Sequence, residues 1–339
     1  MNEDYEFIKL DNSIKEIIDK FKTYKDLKIN FNKEEKELLR DYQQLGIKWM
    51  LTLASCNFGG ILADEMGLGK SLQTIKYIEK RIEDNNNRKF IIIVPTSLIY
   101  NWENEFKKFA PKLKFIVVNE NKEKREKIIS ENLYDIYITT YGLIRQDIEL
   151  YQNYKFDTCI IDEAQNIKNV QAETTKAVKS IHAENHFALT GTPIENSVLE
   201  LWSIFDFLMP GFMSNLTKFK HTYTAKNMEE DESLLPSLNK KVSPFILRRK
   251  KKDVLTELPD KINNNVLVEL NPEQKKLYVS YLEKTKRDID ETIKKEGFMK
   301  SQILILSLLT KLRQICIDPR LIIENYDGSS SKVEALVDI

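Results

Sequence analysis

Six short, uninterrupted apolar runs recur between residues 59 and 192. They are "GGILAD" from Gly59, "FIIIVP" from Phe90, "FIVV" from Phe115, "DIYITTY" from Asp135, "TCIIDEA" from Thr158 and "HFALTGT" from His186. A run without polar alternation suits a strand covered on both faces, as in a parallel sheet. Helical patterns separate the runs. Leu72, Ile75, Ile78 and Ile82 recur at spacings of three and four, as do Leu98, Trp102, Phe106 and Phe109, and each set makes one apolar stripe. Strand alternating with helix predicts an α/β domain, a doubly wound and mostly parallel sheet with ligands at the carboxyl ends of its strands.

After about Pro210-Gly211 this grammar stops. Polar, helical segments fill Phe212 to about Lys241, followed by "PFILRRKKKDV" (244–254) and a Leu-Pro break at 258–259. A strand is expected at "NNVLVEL" (264–270), a helix from near Pro272, and a second helix over about Ser301–Ile317. The closing "SSSKVEALVDI" reads as the start of a further helix. The expected divisions are an N-terminal extension (1–36), a nucleotide-binding lobe (37–210), a helical protrusion with a basic return segment (211–255), and a helical C-terminal part (256–339). A length of 339 residues suits about two domains.

Charge excludes little, because 52 basic residues balance 52 acidic ones; a polyanion site must come from local clustering. Cys56, Cys159 and Cys316 are far apart and form no C-x-x-C, so they read as reduced, structural thiols. The mixed-charge N-terminus lacks the apolar core of a signal peptide, and no apolar stretch is long enough for a membrane span. No membrane partner and a cytoplasmic, nucleoid-associated location are expected.

The stretch "DEMGLGKS" (64–71) follows the first apolar run and precedes the first stripe. Gly67 and Gly69 allow backbone N–H groups to turn toward phosphate oxygens, and Met66 and Leu68 complete the loop. A helix N-terminus favours an anion. Lys70 can reach the β- and γ-phosphates and the Ser71 hydroxyl can ligate Mg²⁺. Asp64 stands where the usual G-x-x-x-x-G-K-[ST] pattern has its first glycine. A bare glycine turn would account for a lone GxGK, but not for one between a buried strand and an amphipathic helix.

About ninety residues on, "CIIDEAQ" ends an apolar strand in paired carboxylates at the same sheet edge. Asp162 is the candidate for the magnesium shell, and Glu163 for orienting or deprotonating the attacking water. In "FALTGTPIEN" (187–196), Thr190, Gly191 and Thr192 form a turn whose hydroxyls can sense the γ-phosphate, although a simple turn reads equally well. The i,i+4 pair His182 and His186 lacks the companions of a zinc site. Trp102 reads as core, not as a base-stacking platform. The basic run from Lys240 to Lys252 reads mainly as a solvated face.

In their order, these motifs resemble the Swi/Snf-type remodelling ATPases of helicase superfamily two, bacterial type, from about Leu38 to the last residue. "LLRDYQQLGIKWM" (38–50) is similar to that family's glutamine motif, with Asp41 in place of the usual proline, and "ILADEMGLGKS" to its nucleotide loop. "IIIVPTSLIYNWENEF", "ITTYGLIRQD", "IIDEAQNIKN" and "LTGTPIENSVLELWSIFDFLMPG" resemble its successive motifs, and "PFILRRKKKDV", "LPDKI", "EQKKLY" and "LRQICIDPRLI" its distinguishing segments.

The resemblance implies a RecA-like lobe and an ATP- and Mg²⁺-dependent motor that tracks double-stranded DNA without separating its strands. It implies that Gln43 bonds the adenine edge, that Pro95, Thr96, Ser97, Thr140 and Tyr141 contact the DNA backbone, and that Arg248 and Arg249 couple the lobes. It further implies a second RecA-like lobe bearing arginines that complete the ATP site, of which residues 256–339 are the start with its helical protrusion and without the lobe's core, so this chain reads as the N-terminal half of a longer motor, weak or inactive alone. A nucleoprotein or RNA polymerase complex is the kind of substrate expected. Two other readings are kept: a non-catalytic ATP- or DNA-binding scaffold, and a small-molecule P-loop kinase, for which no acceptor site or lid is evident.

Overall fold

The computed structural model describes residues 11–191, 198–224, 227, 231–255 and 264–339, with backbone alone at Ser13, 295–296 and 298–304. The chain forms two compact units, Met1–Pro259 and Asp260–Ile339.

In the first unit, all six apolar runs are strands: β1 (Gly60–Leu62), β2 (Phe90–Val94), β3 (Phe115–Val117), β4 (Ile136–Thr140), β5 (Phe156–Asp162) and β6 (Ala183–Leu189). A seventh, β7 (Ile246–Leu247), was not legible in the sequence. The order is β3-β4-β2-β5-β6-β1-β7, and every pairing is parallel. β2 shows why the runs are unbroken: all five of its side chains are fully buried, because helices cover both faces.

Helices α1 (Asn12–Thr23), α2 (Lys33–Leu38), α3 (Asp41–Ser55), α4 (Lys70–Asp84) and α5 (Ile99–Phe109) precede β3. α3, α4 and α5 pack successively against one another. α6 (Lys122–Glu131), α7 (Tyr141–Tyr151), α8 (Glu173–Lys179) and α9 (Val198–Leu208) form a second row in the same way. The expected N-terminal extension is docked from its first described helix, with the Phe21 ring 5.7 Å from Phe58 and 5.8 Å from Phe245. Helices α10 (Leu216–Thr222) and α11 (Leu234–Val242) carry the chain to β7, and α12 (Lys251–Val254) follows it.

The second unit is helical: α13 (Pro272–Glu296), α14 (Phe298–Ile317) and α15 (Ser331–Val337). α13 and α14 turn about Gly297, whose φ of 80° is readily available to glycine. Gln274, fully buried, donates to the Ile315 carbonyl (3.3 Å) and accepts from the Ser331 N–H (2.9 Å). The strand expected at 264–270 does not form. This segment has no ladder partner among the described residues, and Leu267 is 97 % exposed. Strand propensity without a sheet edge to pair with leaves backbone polar groups to solvent.

Candidate nucleotide site

Parallel registration brings the key chain segments out at one edge. Leu62 of β1 lies beside Leu189 of β6, and Leu189 lies beside Asp162 of β5. The glycine-lysine loop, the Thr190 turn and Glu163 therefore leave the sheet side by side.

In the loop, Gly67 and Gly69 have φ of 87° and 76°, in the left-handed region, and Gly69 caps the start of α4. Gly69 is required twice over, since a Cβ there would stand 2.5 Å from Gln43 Nε2. The Lys70 ammonium donates to the Asp64 carbonyl oxygen (2.9 Å), which holds it at the base of the loop. Ser71 is half-buried on the first turn of α4. The backbone N–H groups of Gly67, Gly69 and Lys70, an ammonium and a hydroxyl on one turn fit a nucleoside triphosphate, and Ser71 and Asp162 are the oxygen-bearing candidates for a divalent cation.

Asp64 is fully buried and ion-paired. Arg249 Nε donates to its Oδ1 (2.8 Å), Arg249 Nη2 to its Oδ2, and Gln73 Nε2 also to its Oδ2 (3.1 Å). Arg249 further donates through Nη1 to the Tyr42 carbonyl and through Nη2 to Gln73 Oε1 (2.7 Å), and its guanidinium lies 5.2 Å from the centre of the Tyr42 ring. The cluster leaves no room for a side chain at Gly46, where a Cβ would stand 1.9 Å from Gln73 Oε1 and 2.9 Å from Arg249 Nη2. Tyr42, Gly46 and Gln73 escaped the sequence reading. The one available signal was a glycine in the interior of a helix, which costs stability unless something approaches closely.

Gln43 braces the same loop. Its Nε2 donates to the Leu68 carbonyl (3.2 Å), and its Oε1 accepts from the Arg40 N–H (3.0 Å). In this conformation its amide is engaged with backbone at both ends. Asp41 is the first residue of α3, where a carboxylate suits the helix dipole.

At the end of β5, Asp162 is nearly buried. Its Oδ2 accepts from Trp102 Nε1 (2.9 Å), its Oδ1 from the Glu163 N–H (2.9 Å), and its carbonyl from the Tyr141 hydroxyl (2.6 Å). Burial pushes its pKa above the usual carboxylate range, and the Trp102 bond opposes that shift. Glu163 takes a left-handed φ of 53°, uncommon without glycine. Its Oε2 accepts from Gln165 Nε2 (2.8 Å), and Gln165 Oε1 accepts from the Thr190 hydroxyl (3.3 Å). A polar chain thus runs from Glu163 to the turn after β6.

Residues 42–321 match the SNF2-related domain. The chain belongs to the SNF2-related family. It is 41 % identical over 331 residues to an "uncharacterized ATP-dependent helicase" of Mycoplasma pneumoniae, covering 96 % of this chain and 31 % of that protein. It is 35 % identical over 293 residues to the ISWI chromatin-remodeling complex ATPase of Saccharomyces cerevisiae, covering 84 % of this chain and 26 % of that protein. The Sulfolobus solfataricus SWI2/SNF2 ATPase core in complex with dsDNA has a similar fold, with a TM-score of 0.61 and 40 % identity over 88 % of this chain and 63 % of that one. The chain spans about a third or less of the length of the curated relatives it matches.

The remaining candidates of this SNF2-related chain divide by exposure. Pro95 is half-buried and Thr96 and Ser97 are exposed at the end of β2, as is Arg248 after β7. Thr140 and Tyr141 face inward, with the Thr140 hydroxyl accepting from the Leu143 N–H (3.3 Å) and that of Tyr141 committed to Asp162. Thr190 is fully buried. Gly191 lies against Met66, whose Cγ would stand 3.5 Å from a Cβ there. Met66 itself is 70 % exposed on the nucleotide loop. Thr192 lies outside the described residues. Trp102 is core, as expected, but it also supports Asp162. His186 packs edge-on to Phe207 at 4.9 Å, and burial lowers its pKa to about 4, so it stays neutral as a packing residue. Among the described residues no helix is long and apolar enough to cross a membrane.

Proposed function

We propose that this chain is the ATP-binding half of a motor that tracks along double-stranded DNA, coupling ATP hydrolysis to remodelling of a nucleoprotein complex. The observation that carries the reading is the single row Leu62–Leu189–Asp162, which sets the Lys70 loop beside the acidic pair and the Thr190 turn. The duplex preference rests on the SNF2-related membership and on the DNA-bound Sulfolobus relative.

ATP supplies the phosphoryl group, and a bound Mg²⁺ would supply charge neutralisation on its phosphates. Gly67, Gly69 and Lys70 present N–H groups to the phosphates, while the Leu68 N–H is spent on the Glu65 carbonyl (3.2 Å), and the Lys70 ammonium exchanges the Asp64 carbonyl for a phosphate oxygen. Ser71 and Asp162 would hold the cation. Glu163 orients the attacking water and takes up its proton. Its tie through Gln165 to Thr190 links the water's position to the turn after β6. Thr96 and Ser97 offer exposed hydroxyls and backbone for contacts to phosphodiester that carry no sequence information. In this reading a second RecA-like lobe supplies the arginines that complete the site, an effect worth about 10³–10⁵ in rate.

The test is ATP turnover by the full-length protein, with and without duplex DNA. Duplex is expected to stimulate it, and Lys70→Ala or Glu163→Gln to abolish it. DNA-independent turnover, or turnover untouched by Glu163→Gln, overturns the assignment, and nucleotide or DNA binding without any turnover favours a scaffold.

A further inference from the structure

The segment after β7 is fastened to the nucleotide loop by backbone bonds. The Ala63 N–H donates to the Leu247 carbonyl (2.7 Å), the Glu65 N–H to the Arg249 carbonyl (3.0 Å), and the Lys251 N–H to Glu65 Oε2 (2.8 Å). With the Asp64–Arg249 pair below them, these contacts place Lys251 over the loop. A Cβ built on Gly67 would stand 3.2 Å from both Cε and Nζ of Lys251. Its side chain is otherwise exposed.

Charge balance at the loop gives this position a consequence. The Asp64 carboxylate is consumed by Arg249 and Gln73, and Lys70 rests on a neutral carbonyl. Two ammonium groups therefore flank a turn built from glycines with positive φ. Neither forms an ion pair with a carboxylate among the described residues, and the Glu65 carboxylate meets Lys251 only at the Lys251 backbone N–H. A polyanion is the natural partner of such a pair.

We propose that Lys251, delivered by the return segment from a distant part of the chain, is a second phosphate-binding cation of the nucleotide site. It contacts the polyphosphate from the side of Gly67, while Lys70 contacts it from the base of the loop. The inference rests on the nucleotide reading of the loop. It adds that the basic run 248–252 is divided by role, with Arg249 holding the loop, Lys251 facing the ligand and Lys252 in solvent.

The experiment measures Kd for a fluorescent ATP analogue by anisotropy on the 339-residue chain and its Lys251→Gln, Lys251→Glu, Lys252→Gln and Lys70→Ala variants. Melting temperatures without nucleotide establish that each variant is folded. Lys251→Gln is expected to weaken binding by about tenfold, the size of one charge-assisted hydrogen bond in a partly exposed site. Lys251→Glu is expected to weaken it further, and Lys252→Gln to leave it within about twofold of the parent. Loss of binding in Lys70→Ala with parental Kd in both Lys251 variants overturns the role of Lys251 alone. A parent chain that binds no nucleotide overturns the nucleotide reading as well.

Discussion

At the scale of single residues, Asp64 carries the most consequence. Replacing it with glycine would restore the commoner phosphate-loop pattern, yet the structure predicts a loss. Asp64→Gly leaves Arg249 and Gln73 without their acceptor in a buried setting, and Arg249→Ala leaves a buried carboxylate uncompensated. Each is expected to destabilise the first unit by about 3–5 kcal/mol, the usual cost of breaking a buried pair from one side. Urea denaturation reads this directly, and an unchanged midpoint would remove the pair from the structural account. Asp162 gives a pH prediction. Its carboxyl is held above the ordinary range by burial, while Trp102 favours the charged form. Under the proposed function cation binding needs that form, so turnover is expected to fall as pH drops through the raised pKa. Trp102→Phe removes a bond to the carboxylate and moves the acidic limb to higher pH. For stability the sign is opposite: the folded state holds the proton more tightly, so this group's contribution declines as pH rises from the ordinary carboxylate value through the raised one. An acidic limb that stays in place in Trp102→Phe would show that the indole is core alone.

At the scale of elements, β7 and α3 decide the site's rigidity more than the loop does. Two residues suffice for β7 because Ile61 and Leu62 of β1 already offer a parallel edge. Its pairing then carries Arg249 and Lys251 to the loop. α3 contributes through a gap and two backbone braces, since Gly46 admits the Arg249–Gln73 contact and Gln43 and Tyr42 hold the Leu68 carbonyl. A loop braced from two elements that are distant in sequence is preorganised before any ligand arrives, which lowers the cost of ordering it on binding.

At the scale of the whole molecule, every described residue assigned to the nucleotide site belongs to Met1–Pro259. A chain ending at Pro259 is therefore expected to keep ATP affinity within a few-fold of the 339-residue chain, as measured by an ATP-dependent rise in melting temperature. Loss of that rise would show that the helical unit contributes to the nucleotide site. The second unit exposes Leu306, Leu309, Leu336 and Val337, apolar surface of the kind that invites self-association or a partner.

The sequence by itself determined the six apolar strands, the helices between them and the positions of Lys70, Asp162 and Glu163. Each is written locally, as an unbroken apolar run, a 3.6-residue stripe or a polar group at a strand end. Tertiary structure alone decided the rest. β7 is too short to have a pattern and exists only because an edge was waiting for it, whereas residues 264–270 had the pattern and no edge. Trp102 looked like core from its stripe, and only packing of α5 against the sheet placed its N–H on Asp162. Asp64 fits the nucleotide loop of the family the chain resembles, but only the folded chain shows that Arg249, far along the sequence, is its partner. Periodicity reports which face of an element is buried. The partner it is buried against is a long-range fact that the folded chain alone supplies.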